Sequence, residues 1–69
     1  MAYEFSNLHY IAAHGKDPRG KGWWMFEDNQ RNIIADIQGL HTLTEAKKLA
    51  AKELNEKRFP QNRTVYVAP

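Results

Sequence analysis

The spacing of apolar and polar residues changes along this chain, and each change of rhythm predicts an element. From Phe5 to His14, Leu8, Tyr10 and Ala12 alternate with Asn7, His9 and Ile11, a period of two that predicts a first strand whose faces are both partly apolar. Trp23 to Glu27 predicts a second strand, with Trp24 and Phe26 on one face and Trp23 and Met25 on the other. The polar run Asp28-Asn29-Gln30-Arg31-Asn32 suits a hairpin turn closed by side-chain bonds to its own backbone. Ile33 to Gln38 returns as a third strand, with Ile33, Ala35 and Ile37 facing the core and Gly39 breaking it.

The rhythm then becomes helical. Thr42-Leu43-Thr44-Glu45 is a capping box, in which the threonine hydroxyl and the glutamate carboxylate each satisfy an orphan amide at the helix start. Leu43, Ala46, Leu49, Ala50 and Leu54 recur at helical spacing and leave Lys47, Lys48, Lys52 and Glu56 outward. Ala46 and Ala50 let this helix approach the sheet closely enough to cover rings such as Trp24 or Phe26. Pro60 stops the helix near Lys57 or Arg58, Pro60 to Arg63 turns, and Thr64 to Val67 forms a last strand with Val65 and Val67 on one face. The expected architecture is α+β in the order β-β-β-α-β, an antiparallel three- to four-stranded sheet packed on one helix.

Length and composition narrow this picture. The 69 residues, read as one small domain over 1–69, bury only about 60% of the surface their unfolded form exposes. The absence of cysteine removes disulfides, thiolate metal sites and cysteine nucleophiles. No apolar run approaches the roughly 20 residues that span a bilayer, and no basic-then-apolar leader opens the chain. These features predict a soluble protein of the cytoplasm.

Charge matters through its placement. The net charge of +2 equals the balance of one segment, His14 to Gly22, where Lys16, Arg19 and Lys21 oppose Asp17. Its three glycines and one proline exclude regular structure. Such a loop can contact phosphate through charge-assisted bonds. It lacks the Gly-Lys-Ser/Thr ending of a nucleotide-hydrolysing loop, and no helix follows it. Trp23 and Trp24 come directly after it and split between faces, so Trp24 packs in the core while Trp23 is free to stack on a base.

Other candidate chemistry reads as structural. His9 and His14 are predicted on opposite faces of one strand, so with His41 they form no zinc site and read as solvated or locally bonded. Ser6 has no nucleophile elbow. Glu27 and Asp28 read as solvated turn residues. The lysines of the helix are balanced by Glu45, Glu53 and Glu56 through pairs such as Lys52 with Glu56, a solvated face.

The run His14-Gly-Lys-Asp-Pro-Arg-Gly-Lys-Gly-Trp23, followed by a hairpin, Leu43-Thr-Glu-Ala-Lys-Lys-Leu-Ala50 and a closing valine strand, resembles small accessory proteins of phages and other mobile elements. That resemblance implies an accessory role, either binding nucleic acid or blocking a host enzyme or defence complex as anti-CRISPR proteins do. More loosely, three strands and a helix opening Thr-Glu-Ala are similar to the plant ethylene-response type of DNA-binding domain and its integrase relatives. That likeness implies reading of DNA by the sheet, with Trp23, Trp24 and Arg31 as the matching residues and the final strand as a departure.

The expected function is a non-enzymatic binding module without a cofactor or metal, contacting nucleic acid through Lys16, Arg19, Lys21, Trp23 and Arg31. A protein-binding inhibitor using a sheet edge or the Trp23 and Met25 face stands beside it. So does a homodimer joined through sheet faces.

Overall fold

The computed structural model describes residues 3–60 and 63–69. Its elements are β1 (Glu4–Ser6), α1 (Leu8–His14), β2 (Lys21–Glu27), β3 (Ile33–Thr42), α2 (Leu43–Glu56) and β4 (Thr64–Val67). The fold is α+β, but its order is β-α-β-β-α-β, with two helices. The four strands lie as β1-β4-β2-β3. β2 pairs antiparallel with both β3 and β4, while β1 runs parallel to β4, so the sheet is mixed. β3 and β4 therefore point the same way on either side of β2, and α2 is the crossover that joins them.

The expected first strand, Phe5 to His14, is corrected: only Glu4–Ser6 is strand, and Leu8–His14 is helix. Both apolar faces of that segment also satisfy helical spacing. Gly15 decides between the two by taking the left-handed conformation at φ 72° and donating its N–H to the Ile11 carbonyl, which closes the last turn. Tyr10 and His14, one turn apart, bring their rings to 4.2 Å.

Gly39 does not end the third strand. At φ +93° it lets β3 bulge and continue to Thr42, where the pairing with β2 shifts between Gly22 and Trp24. Thr42 then caps α2 with no intervening loop, and the capping box forms as the sequence predicts, with Thr42 Oγ1 and Glu45 Oε1 each accepting from the other residue's backbone N–H.

Phe26, Leu54, Val65 and Val67 are fully buried at the centre of the core, joined by Tyr3, Trp24, Ala35, Ile37, Ala46, Ala50 and Ala51. Two details differ from the helical pattern. Ala51 is buried while Leu49 is exposed, because the buried stripe follows the small residues that let α2 sit close to the sheet. Lys47 is half-buried, with its ammonium 6.0 Å from the Phe5 ring centre. Ile33 is also exposed, since the register slips again between Phe26 and Glu27, opposite the start of β3. The turn expected at Pro60 to Arg63 lies partly outside the described residues. Among the described residues no helix is long and apolar enough to cross a membrane.

Candidate functional site

The basic loop leaves α1 at Gly15 and enters β2 at Lys21, with Gly20 supplying a second left-handed residue just before the strand. Lys16, Asp17 and Arg19 surround a groove of about 350 Å3 whose fourth wall is Tyr10 of α1. Tyr10 is held from behind, its ring 6.1 Å from that of buried Trp24. The groove thus has a fixed aromatic wall and a glycine-hinged wall in which Lys16 and Arg19 flank Asp17. Lys21 and Trp23 continue from it along one face of β2, two residues apart and both exposed.

The two tryptophans divide as the alternation predicts. Trp24 is buried and donates its indole N–H to the His41 carbonyl at 2.8 Å. Trp23 is 60% exposed and donates its indole N–H to Asp36 Oδ1 on β3, so the edge of its ring is tethered while its face meets solvent. Met25 and Asp36 sit opposite each other further along, and Leu40, 75% exposed, belongs to the bulged part of β3 across from Trp23.

Of the five expected contact residues, Lys16 and Arg19 line the groove and Lys21 and Trp23 follow on the first residues of β2. Arg31 does not belong with them. It lies in the β2–β3 turn, the far end of a seven-residue strand and so about 20 Å from Lys21. There it takes φ +67° and donates its backbone N–H to the Asp28 carbonyl. Asp28 organises that turn: its Oδ1 accepts the backbone N–H groups of Gln30 and Asn32, each at 2.9 Å. The Asn32 amide, and behind it that of Gln30, hold the Asp28 carboxyl below the usual carboxylate range. At the loop end Glu45 is lowered in the same way, first by the backbone N–H of Thr42 and further by the charges of His41 and Lys21.

Glu27 corrects the expectation of a solvated turn residue. It is 4% exposed, and its Oε2 meets Nδ1 of His9 from α1. The register slip after Phe26 allows two successive β2 residues to be buried, and Glu27 pairs with Tyr66 of β4. The Tyr66 ring stacks on His9 with centres 3.9 Å apart and planes 5° from parallel. His9 is thus locally bonded, as expected, but from a helix rather than a strand. His9, Glu27 and Tyr66 come from three elements and form a polar cluster that no sequence motif announces. Only the helical register of Leu8–His14, once known, turns His9 toward the sheet. Among the described residues no three His, Asp or Glu side chains group as metal ligands.

Comparison with known proteins yields no match: no family model, no curated protein and no solved structure matches this chain.

Proposed function

We propose that the chain is a non-enzymatic nucleic-acid-binding module that works through the loop end of the sheet. The observation that carries this reading is the run of exposed cations Lys16, Arg19 and Lys21 leading into β2, with the Trp23 face exposed two residues after Lys21 and none of the three cations in a described ion pair. Cations neutralise phosphates, and an exposed ring adds about 1–3 kcal/mol for each base stacked on it. With three loop cations, log affinity for a single strand is expected to fall with log salt at a slope of about −2.

Fluorescence anisotropy with a mixed DNA and RNA pool tests the reading. The expected result is salt-sensitive binding that disappears when Arg19→Ala is combined with Lys21→Ala. Absence of binding at low salt overturns it.

A protein-binding inhibitor is the second reading, favoured by a different observation: β3 is an outer strand of the sheet and carries exposed Ile33 and Leu40. Outer strands recruit partner strands through their unpaired backbone groups. Pull-down from nuclease-treated lysate separates the two, because a protein partner survives the treatment and Leu40→Lys removes it. A homodimer through the same surface is revealed by a mass that rises with concentration in light scattering. A phage or mobile-element origin and work in the cytoplasm rest on the sequence alone, and the neighbouring genes test them.

A further inference from the structure

The geometry points to single-stranded nucleic acid as the ligand, with one base lying on the Trp23 indole and its amino edge read by Asp36; this rests on the reading just proposed. Strand side chains stand away from the sheet, and Trp23 is additionally fixed by donating its sole polar hydrogen to Asp36. What remains for a ligand is the ring face. A duplex keeps its base faces stacked inside and presents only edges to a protein, whereas a single strand offers a face.

The charges around the ring set the polarity of the bound strand's contacts. Lys21 lies on the same strand face two residues before Trp23, about 7 Å away along the chain, within reach of a phosphate next to the stacked base. Arg19 and Lys16, exposed in the loop that leads into Lys21, supply further cations before it in the chain. On the other side Asp36 repels phosphate, so the backbone passes over Lys21 and the base edge falls to Asp36.

A carboxylate offers about four lone-pair sites. One is used by the indole, and the rest accept hydrogen bonds from a base. Cytosine presents an exocyclic amino group as donor, and aspartate is a matching acceptor for it. Uracil and thymine present carbonyl oxygens on both sides of their ring N–H, which the carboxylate repels. Amino-bearing bases are therefore selected over uracil and thymine.

The test titrates labelled cytosine, uracil and thymine homo-oligomers of about 12 nucleotides, as RNA and DNA, and a duplex of equal length at neutral pH and low salt. Expected are cytosine binding about five- to ten-fold tighter than uracil, weaker duplex binding, and loss of most single-strand affinity in Trp23→Ala with recovery in Trp23→Phe. Asp36→Asn, which keeps an acceptor for the indole but adds a donor, is expected to bring cytosine and uracil together while leaving stacking in place. Matching RNA and DNA affinities assign recognition to the base and phosphate; tighter RNA binding adds the 2′-hydroxyl to the same site. Equal cytosine and uracil binding in the unaltered protein, duplex binding as tight as single-strand binding, or indifference to Trp23→Ala overturns this inference while leaving the loop's phosphate contact intact. Failure of every oligomer to bind overturns the underlying reading as well.

Discussion

The two ends of β2 use charged residues in opposite ways. At its start Lys16, Arg19 and Lys21 are exposed on a glycine-hinged loop, with the Trp23 ring open beside them. At its finish Glu27 is enclosed and bonded to His9, on which Tyr66 stacks. A dense cluster of charge marks the part of the sequence that the fold leaves to solvent. The buried one marks where the fold closes over a carboxylate bonded to a histidine. Burial makes the second arrangement sensitive to loss of a partner, whereas solvent cushions the first.

The sharpest way to break this contrast is His9→Ala, which leaves Glu27 buried without its partner and strips the stack from Tyr66. It is expected to cost about 3 kcal/mol in urea unfolding, and a loss below about 1 kcal/mol contradicts the assignment of Glu27 to the interior. At the opposite end the stabilising device is the capping box, so Thr42→Ala is expected to cost about 1 kcal/mol; an unchanged midpoint shows that the box contributes nothing there.

Acid unfolding addresses both ends together. Asp28 and Glu45 have lowered carboxyl pKa values in the folded chain, so the folded state binds fewer protons than the unfolded state between the two pKa values of each group. Their contribution is fully present above the unfolded values and fades as pH falls below about 4 toward the folded ones. Asp28→Asn with Glu45→Gln is expected to flatten the stability profile in that window, and an unchanged slope refutes the linkage. The smallest expected stability effect belongs to Arg19→Ala with Lys21→Ala, within about 0.5 kcal/mol of the parent. The same pair is expected to abolish nucleic-acid binding, and a large loss of stability instead marks the loop as structural.

Local features were legible in the sequence. The capping box, the split of Trp23 from Trp24, the inward pair Val65 and Val67, and the end of α2 each depend on neighbours within a turn or a pleat. What escaped depends on distant residues or on a choice between two periods. Leu8 to His14 fits strand and helix alike over its seven residues, and only a left-handed Gly15 selects the helix. Gly39 looks like a terminator because a glycine interrupts pairing, yet the same freedom allows a bulge. Glu27 beside Asp28 looks like part of a turn, and its burial follows from His9, 18 residues earlier, and from β4 at the other end of the fold. Within the contact region the loop cations and Trp23 were legible from composition and alternation. The Tyr10 wall was not, since it exists only once α1 forms, and the separation of Arg31 follows from the length of β2.

The parallel pairing of β1 with β4 also orders events in time. The β2–β3 hairpin and α2 assemble from residues close in sequence, whereas Glu4 meets Thr64 only after nearly the whole chain has been gathered. Closing so wide a loop carries an entropic cost that local contacts do not incur. β1 is accordingly expected to dock late in folding and to exchange its amide hydrogens early under native conditions. Since α1 hangs directly from β1 and supplies the Tyr10 wall, the contact groove is tied to the least persistent strand of the sheet.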